Sequence, residues 1–260
     1  MSSFFTYVFN GISLGSVYAI IALGYTMVYG IAKMLNFAHG DVIMIGGYVL
    51  FSMIYGSGTN VFAALIVAMV VCTVLGVVIE KVAYKPLREA SSLAVLITAI
   101  GVSILLQNIA QLIFTSQPKM FRNPIKLGSV KMFGANIEGS TILMIVLGII
   151  IVVALSIFIR KTKTGRAMLA VSEDKDAAKL MGINVNTTIT ITFAIGSALA
   201  ALASLLMFNA YPSLIPTSGS MPGIKAFVAA VFGGIGSIPG AVIGAFIIGI
   251  CESIKWRLYS

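Results

Sequence analysis

Charge is what this sequence has least of. Only 10% of its 260 residues are charged and 59% are apolar, against roughly 25% charged in an ordinary soluble domain. A globule of this composition would have no polar coat, which excludes a water-soluble fold. Histidine occurs once, as His39, so paired-histidine metal chemistry of the H-E-x-x-H type is excluded. The two cysteines, Cys72 and Cys251, both fall in apolar stretches. They offer neither a disulfide framework nor metal-ligand spacing and read as packing residues. No G-x-x-x-x-G-K-[ST] loop is present to cradle nucleotide phosphates. No Lys or Arg precedes Lys33, so the apolar start lacks the basic flank of a signal peptide and is expected to be a retained first span. Gly11-Ile12-Ser13-Leu14-Gly15 matches G-x-S-x-G, but it lies inside an expected helix rather than at a strand-to-helix elbow, which argues against a serine hydrolase.

The charges that do occur are clustered at Lys33 to Asp41, Glu80 to Glu89, Lys119 to Glu138, Arg160 to Lys179 and Glu252 to Arg257, with Lys225 alone. Between them run the charge-free stretches 1–32, 42–79, 90–118, 139–159, 180–224 and 226–251. Each exceeds the ~18 residues that mark a spanning helix. A charge at mid-bilayer costs roughly 2.5–3.5 kcal/mol even on the mildest scale, so the clusters are expected in loops. The net charge of +9 would suggest nucleic acid in a soluble protein; at span ends it meets lipid phosphates instead. With the N-terminus outside, Lys33, Lys81, Lys85, Arg88, Arg160, Lys161, Lys163, Arg166, Lys175 and Lys179 fall inside. Lys119, Arg122, Lys126, Lys131 and Lys225 fall outside, and Lys255 and Arg257 go with the C-terminus, whose side depends on whether 226–251 crosses once or folds back. The bias makes the 160–187 loop cytoplasmic and 116–138 the outer loop.

Ordinary spans are expected at 5–29, 61–79, 93–115, 139–159 and 188–208. Gly56 to Asn60 is a turn. The stretch from Val42 to Tyr55 is too short to cross a hydrocarbon layer of ~30 Å at 1.5 Å per residue. It must recruit Asn36 to Asp41 or be a half-helix. The last apolar stretch is interrupted at 233–240, where Ser237 can cap a new helix and Pro239 fits its first turn. The fold class is therefore all-α: a polytopic membrane protein of about seven transmembrane segments, some broken or re-entrant, forming one transmembrane domain over 1–260.

Asn36, His39, Gly40 and Asp41 sit where the short span must be extended, and either line a translocation path or cap a helix at the interface. Ser103, Gln107 and Gln111 recur every four residues on one face, as interhelical hydrogen-bonding groups or as pore lining. Gly234 and Gly236 belong to the late interruption, and Gly236, Gly240 and Gly244 give one helix face without side chains for close packing. Discontinuous helices mark substrate paths in transporters, so the early and late breaks are expected to approach each other or a shared interface. In the cytoplasmic loop, Ser172 is a good N-cap, Glu173, Asp174 and Asp176 suit the positive helix end, and Gly182 fits the stop. The result is a short helix with Ala177, Leu180 and Met181 on one side, lying on the membrane or docking a soluble partner. In the outer loop, Ile125 to Met132 partly alternates like a short hairpin.

Three of these stretches resemble one family. Gly165 to Ile183 resembles the coupling loop of the branched-chain amino-acid ABC transporter permeases. Val28-Tyr29-Gly30, Asn36-Phe37-Ala38-His39-Gly40 and the segment through Tyr48 are similar to the signature of its LivH-like subunits, and Gly233 to Gly244 is similar to the family's late glycine-rich segment. The resemblance implies a permease for branched-chain or similar apolar amino acids in the cell membrane, not an enzyme. It would bind no cofactor of its own. Its partners would be a second related permease, two ATP-binding cassette subunits that carry the ATP, an extracytoplasmic binding protein and membrane lipid, with no nucleic acid. Gly165, Arg166, Glu173, Ala177 and Gly182 would couple to the ATPase. Asn36, His39, Gly40, Asp41, Gln107, Gln111, Gly234 and Gly236 would belong to the path. Two departures stand out. Leu169 occupies a position where many members carry a basic residue. Members also usually continue through another apolar span after the position of Glu252, so a chain ending at Ser260 is expected to be truncated. The rival reading is an ion- or proton-coupled carrier, which would need a titratable site in the spans, for which His39, Asp41 and Glu252 are the candidates.

Overall fold

The computed structural model describes residues 2–122, 128–132 and 135–259. In chain order the elements are α1 (Ser2–Ala32), α2 (His39–Phe51), α3 (Val61–Ile79), α4 (Ser92–Phe114), β1 (Lys119–Met120), β2 (Ser129–Met132), β3 (Ala135–Glu138), α5 (Gly139–Lys161), α6 (Lys163–Glu173), α7 (Lys175–Leu180), α8 (Val185–Ala210), β4 (Ser213–Leu214), α9 (Ser220–Phe232) and α10 (Ile238–Tyr259). Five helical runs are long and apolar enough to cross a membrane: Tyr7–Ala32, Val61–Leu87, Ser92–Phe114, Gly139–Lys161 and Val185–Ala210.

These five divide into an inner and an outer class. The apolar windows of α1 and α8 are 94% and 72% buried, whereas those of α3, α4 and α5 are only 22–28% buried. α1 is the central post, packed along α10, α8, α5 and α9. α3, α4 and α5 turn Phe62, Val74, Ile97, Leu112 and Ile150 outward, which in lipid is no liability. What they turn inward is small: the buried residues of α3 are Ala64, Ala68, Cys72, Gly76 and Ile79, four of them at four-residue spacing. Lipid is as apolar as leucine, so helices associate through close approach, and small residues permit it. Cys72 thus packs as expected, its thiol directed at the Val42 carbonyl at 3.6 Å. Cys251 instead is exposed, because the face of α10 that packs on α1 and α9 is carried by its glycines and alanines.

Two expectations are corrected, and the expected late break is resolved into two helices. The fold is helical but not purely so: β1 pairs with β4 and β2 with β3, both antiparallel. The second pair is the outer hairpin, whose expected portion at 125–127 lies outside the described residues. The charged cluster after α3 is not a loop at its start, because the helix continues through a π turn at Glu80–Tyr84 and a 3-10 turn at Lys85–Leu87. The late apolar stretch does fold back: α9 and α10 are antiparallel, with backbone contacts between Gly233 and Gly240 and between Ala229 and Gly244. α10 then runs antiparallel to α1, Gly15 meeting Phe246, Gly11 meeting Ile250 and the Ser253 hydroxyl reaching the Tyr7 carbonyl at 2.7 Å. The end of α10 therefore lies on the same side as the start of α1.

Candidate functional site

α1 stops because Lys33 takes φ +60° and its N–H donates to the Tyr29 carbonyl at 2.8 Å, a left-handed helix cap built on a lysine rather than a glycine. The linker that follows re-enters the bundle. Asn36 is buried and accepts a hydrogen bond from the Tyr84 hydroxyl at 2.9 Å. His39 is buried with its ring edge-on to Tyr25 at 4.9 Å and so close to Gly24 that a Cβ there would lie 2.4 Å from Nε2. α2 starts at this depth, level with Gly196 of α8.

Gly40 is where α2 meets α9. A Cβ on Gly219 would lie 1.9 Å from the Gly40 carbonyl oxygen, and one on Gly40 would lie 2.4 Å from that of Gly219. The N-termini of two helices thus abut inside the bundle. The peptide dipoles of each helix place positive potential there. Asp41, 1% exposed in the first turn of α2, supplies the opposite sign. Its carboxylate accepts from the Gln107 amide at 2.9 Å, and that amide also lies 3.1 Å from the Ser220 hydroxyl and 3.2 Å from that of Ser103. One polar node therefore joins α2, α4 and α9. Gln111 is not part of it: it is exposed and bonds to Ser116 at 2.8 Å. Its four-residue spacing from Gln107 is outweighed by the end of α4, which places it beside that hydroxyl.

The late break is held by Gly234 at φ +90° and Gly236 at φ +96°, backbone angles that favour glycine. Ser237 caps α10 by accepting from the Gly240 N–H at 3.3 Å. Gly236 faces Gly30 near the end of α1, and the turn borders Arg160 and Leu169. The early and late breaks do not touch, since Gly40 contacts Gly219 and Gly223 at the start of α9 whereas 233–237 follows its other end. α9 is the element that links them.

In the 160–187 loop the helix is two helices. Thr162 caps α6 by accepting from Gly165, and Asp174 caps α7 by accepting from Asp176 at 2.8 Å and Ala177 at 3.0 Å. Ser172, the expected cap, lies inside α6 and bonds to the Leu169 carbonyl. Gly182 does end α7, at φ +81°: it donates to Lys179 and Ile183 donates to Ala178, both at 3.0 Å, a Schellman closure. Gly165 is buried where α6 turns off α5, a Cβ there falling 2.4 Å from Ile159. Arg166, Glu173 and Ala177 are exposed, and Leu180 and Met181 are 89% and 82% exposed.

The loop packs on the bundle through the buried Met168, Val171 and Ala178, and one further tie is a hydrogen bond that the sequence does not disclose. Lys175 donates to the Ala32 carbonyl at the end of α1, at 2.9 Å. Burial, with Arg88 and Lys33 nearby, pushes its ammonium below the usual lysine range. Beside it, the fully buried Glu80 carboxylate pairs with Arg88 and accepts from Thr190 at 2.8 Å. A cavity of about 770 Å³ is lined by Arg88, Lys175, Lys179, Asn184 and Asn186 among others.

Long apolar helices, others broken inside the bundle and a polar node at the break define a multi-pass membrane protein. Residues 7–258 match the model of the family described as the permease component of the branched-chain amino acid transport system, and the chain belongs to that family. It is similar to the LivH permease proteins of that high-affinity system in Salmonella typhimurium and Escherichia coli, each 45% identical over 97% of this chain and 86% of theirs. It is also similar to the BraD permease protein of Pseudomonas aeruginosa, 43% identical over 94% of this chain and 83% of that protein. No solved structure matches. The chain is therefore a permease subunit of an ATP-driven importer in the cell membrane, a transport subunit rather than an enzyme, and the ion-coupled carrier is set aside.

Proposed function

We propose that this chain forms one permease domain that supplies half of an import path for branched-chain or similar apolar amino acids. It pairs with a second, related permease and two ATP-binding cassette subunits, and a binding protein delivers substrate from outside. ATP stays on the cassette subunits. Seven segments cross the membrane: α1, α2 with its π turn, α3, α4, α5, α8 and α10. The extended chain at 211–219 and the short α9 form a broken return between α8 and α10. Within this reading α7 docks on the ATPase through Ala177, Leu180 and Met181, and Gly165, Arg166, Glu173 and Gly182 set its place and shape. Asn36, His39, Gly40, Asp41, Gln107, Gly234 and Gly236 belong to the elements that rearrange as the path opens. Gln111 stands apart from them.

One observation carries the reading: the Lys175 hydrogen bond to Ala32 joins α7 to the α1 terminus from which the early break departs. A push on α7 then reaches Asn36 to Asp41 through the backbone. The test is uptake of labelled leucine by vesicles holding all partners, driven by ATP or by ion gradients, with Ala177→Glu alongside. A charge buried at a docking centre costs on the order of 2 kcal/mol, roughly thirtyfold in affinity. The variant should insert normally but lose ATP-dependent uptake. Gradient-driven uptake without the ATPase, or normal uptake by the variant, would overturn the reading.

A further inference from the structure

Among the described residues there are two ion pairs, and they differ in kind. Arg88–Glu80 lies at the cytoplasmic end of α3 with Glu80 sealed from solvent. Lys225–Glu252 joins α9 to α10 in the outer half of the bundle, and its side chains are 33% and 23% exposed. Lys225 is the one charge of α9, and Glu252 is the first charge of α10 after a long apolar run. The Tyr18 hydroxyl of α1 donates to the second Glu252 oxygen at 2.9 Å, and the Lys225 ammonium stands 5.9 Å from the Tyr18 ring centre. The exposed sides of the pair open on a cavity of about 420 Å³, whose remaining wall includes Tyr7, Leu14, Met207, Met221 and Pro222. Asn10, Leu14 and Tyr211 also line an adjoining cavity.

A pair that only braced two helices would be sealed like Glu80. Ionisable groups at membrane depth face protein or water-filled cavities and mark substrate pathways. This one presents a cation, an anion and an apolar wall within a space in the size range of small-molecule sites.

We propose that Lys225 and Glu252 form a substrate subsite for the zwitterionic head of an amino acid. The pair holds itself closed when empty. When substrate enters, the Lys225 ammonium takes its carboxylate, and the Glu252 carboxylate, oriented by Tyr18, takes its ammonium. The alkyl side chain lies against Met207, Met221 and Leu14. This site rests on the import reading above and adds where in this chain the substrate is held. Exchanging one ion pair for two leaves no charge unpaired, so the zwitterion enters without the penalty that a lone ion would meet. An amine or acid lacking the second charge strands one partner.

The experiment is equilibrium binding of labelled leucine to the assembled permease–ATPase complex in nanodiscs without binding protein. Lys225→Met and Glu252→Gln are measured beside the wild type. Each variant should bind roughly tenfold more weakly or worse, because a hydrogen bond to a charged group is lost. 3-Methylbutylamine and 4-methylpentanoate, each lacking one charge, should compete with leucine correspondingly poorly on the wild type. Variants that assemble and bind leucine as tightly as wild type overturn the site, as does a wild-type complex without saturable binding. If the variants fail to assemble, the competitors decide: competition by the amine or the acid equal to that of unlabelled leucine overturns it. Leucine uptake by the wild-type complex with its binding protein separates the two levels. Uptake with an unaltered binding profile in the variants sinks the subsite alone, whereas no uptake sinks the import reading.

Discussion

Gly40→Ala tests the geometry at the early break most directly. The new Cβ would sit 2.4 Å from the Gly219 carbonyl oxygen, 3.1 Å from its carbon and 3.3 Å from Gly223 Cα. A relaxed carbon–oxygen contact of this kind is about 3.3–3.6 Å, so about 1 Å must be found. No flexible side chain can give it, because every neighbour is backbone. α2 and α9 must part, and a gap of that size forfeits a quarter to a half of the dispersion attraction across the facing surfaces. Overpacking of this type costs about 1–3 kcal/mol. At roughly 2–4 °C per kcal/mol for a chain of this size, the thermal transition should fall by about 2–12 °C. The control is Gly101→Ala on the outer face of α4, where a Cβ meets nothing within 4 Å. Removing a mid-helix glycine there should raise stability by up to ~1 kcal/mol. The assay is exposure of the buried Cys72 thiol to a fluorescent maleimide during heating, in a Cys251→Ser background, at one scan rate because such unfolding is irreversible. Shifts of the same sign in both variants would refute the close α2–α9 contact.

Glu80→Ala should lower stability by on the order of 3–5 kcal/mol, because it strands Arg88 inside the protein, whereas Thr190→Val should cost only about 1 kcal/mol for one hydrogen bond; the same maleimide melt distinguishes them, and equal losses would contradict the pairing. Lys175 has its folded-state pKa below the ordinary lysine value, so the folded protein disfavours the protonated form, and that penalty is fully present at neutral pH. It is relieved as pH rises through the folded value toward the unfolded one. The stability of wild type relative to Lys175→Met should therefore increase on going from neutral to strongly alkaline pH, and a flat or falling difference in pH-scanned melts would show that Lys175 is not in the crowded environment described.

Much of the architecture is legible wherever local chemistry decides. The starts and ends of α3, α4 and α5 fall within a few residues of the expected spans, because Asn60 and Ser91 cap with their side chains and charges bound the runs. The late break follows from Gly234, Gly236, Ser237 and Pro239, whose backbone preferences act within a few residues. Gly182 is legible for the same reason. The start of α7 is not, since Ser172 and Asp174 are both good cap residues two positions apart, and only the extended backbone at Asp174 chooses between them. Glu80 was hidden because hydropathy counts a charge without its partner, and Arg88 lies eight residues on. Lys225 and Glu252 are 27 residues apart, and meet only because α9 and α10 fold back.

Hydropathy separates membrane from water, yet inside a membrane protein it does not separate lipid-facing from protein-facing. α3 shows why: its outward Phe62, Ile66 and Val74 and its inward Ala64, Ala68 and Cys72 are all apolar, and they differ in size. Size therefore decides which face packs, and the glycine contacts Gly40–Gly219, Gly233–Gly240 and Gly15–Phe246 are the same rule taken to its limit, where backbone meets backbone. Charged groups follow a different rule. An ion pair at these depths has two stable settings, sealed from solvent or at the edge of a wet cavity. Glu80 takes the first and Glu252 the second. The first braces the helices beside the 160–187 loop, and the second leaves a cation and an anion where a solute can reach them, so the exposure of the pair, rather than its presence, carries the proposed subsite.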